Sequence, residues 1–186
     1  MEIKEGVFSA INSFAAKGDN TRYYLNGVLV DAGAEGVFLV ATDGHAIAVA
    51  RIDATPHPAR QYIIAGEVCD IIAKNKRKPI DFDIDAMRFD NINAIEVDGR
   101  YPDWRRVIQY KSSDAIAFFD PKFHARVEAA AQTIQGKRKM PAMIRPGGNG
   151  VGYAPLDADG EVGAWVMPIR QDIEEMPTHP VWQTLT

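Results

Sequence analysis

Asp120-Pro121-Lys122-Phe123-His124-Ala125-Arg126-Val127-Glu128-Ala129-Ala130-Ala131-Gln132-Thr133-Ile134-Gln135-Gly136 carries the fullest helix signature in the 186-residue chain. Asp120 offers an oxygen that can cap the free N–H groups of a first turn. Pro121 suits the first helical position, where no N–H is required. Phe123, Val127, Ala130, Ala131 and Ile134 recur at three- and four-residue spacing, so they form one stripe on a 3.6-residue helix. Gly136 tolerates the left-handed conformation that ends a helix. Two weaker versions of the pattern lie upstream. Residues 5–17 place Val7, Ile11, Phe14 and Ala15 on one face, and residues 66–74 do so with Val68, Ile71 and Ile72.

Strand-like segments fill the intervals. They are 21–30, 37–41, 47–52 and 61–65; then 80–84, 87–90 and 94–97; then 142–145, 150–154 and 162–167. Asp43-Gly44, Asp98-Gly99 and Asp159-Gly160 supply turns. The order is a unit of strand, helix and three strands that occurs about three times, with helices starting near residues 5, 66 and 121. The fold class is therefore α+β. A helix on a small sheet leaves apolar surface uncovered, so such units are expected to pair helix against helix. Units one and two make one complete domain over residues 1–108. Residues 109–171 are expected to form a half-domain with no mate in the chain, followed by a tail at 172–186.

Composition narrows the function classes. Hydrophobic residues make up 46%, charged residues 25%, and the net charge is -4, with an isoelectric point near 5.6. Any nucleic-acid contact must come from a local basic face rather than from bulk charge. The single cysteine, Cys69, excludes an intrachain disulfide and an all-cysteine metal site, and fits a reducing, cytoplasmic setting. The opening MEIKEGVFSAINSF has no basic start followed by an apolar block, so it does not read as a signal peptide. No apolar run approaches the ~18 residues of a membrane span.

No catalytic constellation stands out. His45, His57, His124 and His179 lack metal spacing. Asp81, Asp83 and Asp85 share one strand face, which reads as solvated. Gly147-Gly148-Asn149-Gly150 lacks the lysine and hydroxyl residue of a phosphate-binding loop. The expectation is a binding protein, not an enzyme, with no cofactor and no metal.

Four stretches then occur in order: Arg22-Tyr23-Tyr24-Leu25-Asn26-Gly27-Val28, Val40-Ala41-Thr42-Asp43-Gly44-His45, Tyr101-Pro102-Asp103-Trp104-Arg105-Arg106-Val107-Ile108, and Val166-Met167-Pro168-Ile169-Arg170. Together they resemble the beta sliding clamp of bacterial DNA polymerase III, in its middle domain and at the very end of its third. The resemblance covers about residues 1–170. It implies a DNA-clamp fold with outer antiparallel sheets and inner helices. The departures matter too. On this resemblance the family's first domain and the first half of its third, which carry the ring-closing contact, are expected to be missing. Ala46 stands where the family commonly has arginine, and residues 172–186 run past the usual family terminus.

The resemblance implies a cleft for short linear peptides formed by Leu25, Thr42, Gly44, His45, Ala46, Ile47, Pro102, Val107, Val166, Met167, Pro168, Ile169 and Arg170. The residue types suit peptide capture, since they include apolar anchors, an adaptable methionine and a glycine that admits close backbone approach. Double-stranded DNA is the second expected partner. Its candidate contacts are Lys17, Arg22, Tyr23, Tyr24, Lys74, Lys76, Arg77, Lys78, Lys137, Arg138 and Lys139. Phe123, Val127, Ala130, Ala131 and Ile134 are expected to drive self-association, as a homodimer and in principle a homotetrameric ring.

The implied function is a sliding-clamp-like processivity factor for DNA replication. Its expected partners are polymerases, other proteins with clamp-binding motifs, and the clamp loader. The alternative is a non-encircling clamp mimic or adaptor that occupies clamp-binding proteins, as expected of a phage or mobile element.

Overall fold

A computed structural model of the chain describes residues 1–114, 117–136, 144–148 and 150–169. The first unit contains β1 (Glu2–Ile3), α1 (Val7–Asn12), a 3-10 turn (Tyr23–Asn26), β2 (Val28–Gly33), β3 (Gly36–Thr42) and β4 (Ala46–Asp53). The second contains β5 (Arg60–Ile64), α2 (Gly66–Ile72), β6 (Ile80–Asp83), β7 (Arg88–Phe89) and β8 (Ile92–Asn93). A short helix, α3 (Trp104–Val107), leads to α4 (Pro121–Gln135), β9 (Arg145–Pro146), β10 (Gly152–Pro155) and β11 (Val162–Val166).

Among the described residues every strand pair is antiparallel, and the units exchange strands. β1 of the first unit joins β6 of the second, and β5 of the second joins β2 of the first. The result is a four-stranded sheet, β1-β6-β7-β8, and a seven-stranded sheet, β5-β2-β3-β4-β11-β10-β9. The seam of the larger sheet is β4 against β11, in register from Ala46↔Val166 to Ala50↔Val162. Arg51 closes its far end with two 2.7 Å bonds to the Glu161 carboxylate.

Strand alternation gives this sheet two different faces. Val37, Leu39, Ala41, Ala46, Ala48, Ala50, Val162, Ala164 and Val166 face the helices and share one core with Val7, Phe8 and Ile11 of α1 and with Phe14 just beyond it. Leu29, Val40, Ile47, Val49 and Ile63 face outward under Leu25, Tyr101 and Trp104.

The third unit does have a mate in the chain. α1 lies against both α2 and α4. Gly6, at φ +75°, makes the α4 contact feasible, because a Cβ there would collide with the Thr133 carbonyl. Phe123, Val127, Ala130 and Ala131 are buried in the common core, and Ile134 packs against it. This corrects the expectation of an exposed self-association stripe. Pairing of β11 with β4 brings α4 beside α1, so helix coverage follows the sheet seam rather than the order of units.

Local readings also change: residues 94–97 form no strand, only the isolated bridge Ile64↔Glu96. Residues 21–26 are no strand: Asp19 Oδ1 accepts from the N–H groups of Thr21 and Arg22, and Asn26 exchanges hydrogen bonds with the Asp19 backbone. These bonds wind the segment into the 3-10 turn. α1 ends at Asn12, although Phe14, Ala15 and Ala16 remain buried beyond it. On α2 the buried residues are Val68, Cys69 and Ile72, while Ile71 is 51% exposed.

Candidate functional site

On the outer face, four elements converge around a cavity of about 430 Å³: the 3-10 turn, the β3–β4 turn, α3 and the exit of β11. Tyr24, Leu25, Ile47, Pro102, Trp104, Val107, Trp165 and Met167 supply apolar walls, and Arg22, Thr42, His45 and Arg106 supply polar groups. Val107 and Met167 are 40% and 51% exposed. Large apolar side chains left open at a concave site are what a partner would cover.

Each wall has an identifiable restraint. The Leu25 carbonyl accepts from Ala16 N at 2.9 Å, which fixes the 3-10 turn to the segment that follows α1. In the β3–β4 turn, Thr42 Oγ1 donates to the Ala46 carbonyl at 2.8 Å and accepts from Gly44 N at 3.0 Å. Asp43 Oδ1 accepts from the N–H groups of His45 and Ala46, both at 2.9 Å. Gly44 sits at φ +91°, and a Cβ there would lie 2.6 Å from Arg22 Nη1. Glycine thus provides both the left-handed backbone and room for the arginine. The β11 exit is tied to the same turn by Met167 N, which donates to the His45 carbonyl at 2.8 Å.

The opposite wall, α3, rests on a buried carboxylate. Asp31 on β2 is 5% exposed and accepts from Trp104 Nε1 at 2.7 Å and from Arg105 Nη1. Arg105 also stacks 4.2 Å from the Trp104 ring centroid and reaches Glu35 at 3.3 Å. This arrangement orients α3 so that Trp104, Arg106 and Val107 line the cavity beside Pro102. Tyr101 beneath it donates to the Val40 carbonyl at 3.4 Å, and burial pushes its phenol pKa up.

Of the residues expected at a peptide cleft, Leu25, Thr42, Gly44, His45, Ala46, Ile47, Pro102, Val107 and Met167 line the cavity. Val166 does not. It is fully buried on the helix side, and strand alternation gives its place to Trp165. Pro168 and Ile169 lie outside the lining, and Ile169 N donates to the Phe118 carbonyl at 2.7 Å. Arg170 falls outside the described residues. Trp104, Arg106, Val151 and Trp165 also line the cavity, outside the residues expected there. The i, i+3 spacing of Trp104 and Val107 was the available signal for one of them.

The candidate DNA contacts scatter. Arg22 and Tyr24 belong to the cleft, and Arg22 is held by Asp19 at 2.9 Å. Lys17 pairs with Asp70 at 2.7 Å. Tyr23 is half exposed and edge-on to Tyr24. Lys74, Lys76, Arg77 and Lys78 form an exposed basic loop between α2 and β6. Lys137, Arg138 and Lys139 lie outside the described residues, as does the tail. Among the described residues no group of three or more His, Cys, Asp or Glu is placed to hold a metal, and no helix is long and apolar enough to cross a membrane.

The family model of the DNA polymerase III beta subunit, central domain, matches residues 7–103. The chain belongs to this family. Its match takes in the cleft residues from Arg22 to Pro102. The beta sliding clamp of Caulobacter vibrioides is 27% identical over 180 residues, covering 80% of this chain and 47% of its own length. The chain thus spans about half the length of the curated relatives it matches. The sliding clamp structure from Pseudomonas aeruginosa superposes with a TM-score of 0.62 at 15% identity, over 92% of this chain and 66% of that one. The Helicobacter pylori beta clamp, solved bound to a DNA ligase peptide, gives 0.63 at 13% identity, over 91% and 65%. The architecture is the DNA-clamp fold.

Proposed function

We propose that this beta-clamp family member is a sliding-clamp-like processivity factor of DNA replication, and that its outer cleft receives short clamp-binding peptides from polymerases and associated proteins. The observation that carries the reading is the restrained, largely apolar cavity of about 430 Å³ flanked by exposed Val107 and Met167. An extended peptide would place apolar side chains between Leu25, Ile47, Trp165 and Met167, with Met167 repacking around different partners. Arg22, Thr42, His45 and Arg106 would orient its polar groups at the rim. The ligase-peptide complex of the Helicobacter pylori clamp supports the choice of ligand. Calorimetry with that ligase peptide tests it. Met167→Glu in a folded protein is expected to weaken binding by at least ~10-fold, since a charge would replace an apolar contact. Unchanged affinity would move the site elsewhere.

A second reading is a non-encircling adaptor that engages clamp-binding proteins without DNA. Two observations favour it. The α4 stripe is covered within the chain, and Lys17 is occupied by Asp70. The exposed Lys74, Lys76, Arg77 and Lys78 remain for salt-sensitive phosphate contact. Retention on closed circular DNA but not on linear DNA separates a threaded clamp from an adaptor.

A further inference from the structure

The β3–β4 turn, one wall of the cleft, is held from behind by the helix layer. The two carboxylate oxygens of Asp43 have different partners. Oδ1 accepts from the N–H groups of His45 and Ala46, and so shapes the turn. Oδ2 accepts from Arg126 Nη1 of α4 at 2.7 Å. Both side chains are largely enclosed, at 26% and 18% exposure for Arg126 and Asp43. Arg126 is itself fixed by the faces of Phe14 and Phe123, at 5.6 and 5.4 Å from the ring centroids. The His45 ring lies 6.4 Å from the Phe123 ring. Arg126 does not line the cavity, whereas Gly44, His45 and Ala46 do.

We infer that Arg126 and Asp43 are a positioning pair through which the inner helix α4 sets the shape of the outer cleft. The inference rests on the peptide-binding reading of that cleft. A charge-assisted hydrogen bond in a partly enclosed site is stronger and less screened than a surface ion pair. Burial alone would raise the Asp43 pKa, but the bonds from Ala46 N, Arg126 and His45 N outweigh it and hold the pKa below the ordinary carboxylate value. Without Arg126, Oδ2 loses its fixed partner and the turn gains freedom at Gly44, whose φ of +91° is not locked by a side chain. The turn belongs to the first unit and α4 to the third, so this pair also links the docking of the two units to the form of the site.

The test uses the intact chain with Arg126→Gln, Arg126→Lys, Asp43→Asn and the Gln/Asn double variant. Asp43→Asn keeps an acceptor oxygen for the turn. Affinity for the Helicobacter pylori ligase peptide is measured by calorimetry, and backbone amide exchange is followed at Gly44, His45 and Ala46. Arg126→Gln is expected to weaken binding roughly tenfold and to speed exchange at His45 and Ala46, with α4 amides unchanged. The double variant should be no weaker than the worse single variant, and Arg126→Lys should recover most of the affinity. Parental affinity and exchange in Arg126→Gln, or additive losses in the double variant, would overturn the pair. If the parent chain does not bind the peptide, the peptide reading fails. The exchange data then still decide whether Arg126 positions the turn.

Discussion

The two faces of the seven-stranded sheet are built from alternate residues of the same strands, yet they end differently. On the inner face, small residues such as Ala41, Ala48, Ala50 and Ala164 let α1 and α4 settle closely, and the surface is sealed. On the outer face, Leu25, Tyr101 and Trp104 cover only part of the apolar surface, and a cavity stays open beside Ile47 and Trp165. The contrast teaches that apolar content does not separate core from binding surface in this molecule. What separates them is whether the covering element comes from the chain itself.

Substitutions on the two faces should therefore differ in kind. Phe123→Ala on the sealed face is expected to cost the most, about 3–5 kcal/mol by chemical denaturation, because a 5% exposed ring leaves a cavity. A much smaller loss would indicate that α4 is less firmly docked than its burial implies. Asp31→Ala ranks next, at about 2 kcal/mol, because Trp104 Nε1 loses its acceptor and Arg105 loses its buried partner. It should also weaken peptide binding, since α3 carries one wall. Met167→Glu should leave stability within about 0.5 kcal/mol of the parent by thermal melting. A large stability loss there would erase the distinction between the faces.

The smallest effect concerns the two ends of β4, both of which adjoin carboxylate-centred turns. At the end away from the cleft, the N–H of Thr55, then His57, then the Thr55 hydroxyl lower the Asp53 pKa from 3.8 to about 2. A depressed carboxylate contributes stability that is full above its unfolded value and is lost as pH falls through the folded one. The contribution should therefore fade between about pH 4 and pH 2. Asp53→Asn should flatten denaturation midpoints across that window, without altering peptide affinity at neutral pH.

Much of this arrangement is legible in the sequence. The capped stripe from Asp120 to Gly136 is local, and the structure keeps it: Asp120 accepts from Lys122 N, and Gly136 adopts φ +64°. The Thr42-Asp43-Gly44-His45 turn is local as well. What the sequence did not show depends on pairing between distant strands. Only the β4–β11 register brings α4 over α1, and it removes the surface expected for self-association. It also sets the parity that turns Trp165 to the cleft and Val166 to the core. The tyrosines at 23–24 read as strand because aromatic residues favour sheets, but the Asp19 and Asn26 bonds override that preference.

The β4–β11 seam also has a temporal consequence. It joins residues 46–50 to residues 162–166. Bringing segments so distant together carries a loop-closure cost before any contact rewards it, which places such pairing late among folding events. Helices and hairpins can form early, but Trp165 and Met167 reach their places only when the seam closes. A chain caught before that moment has much of its secondary structure and an incomplete cleft. Refolding followed by far-ultraviolet dichroism should therefore run ahead of refolding followed by recovery of peptide binding.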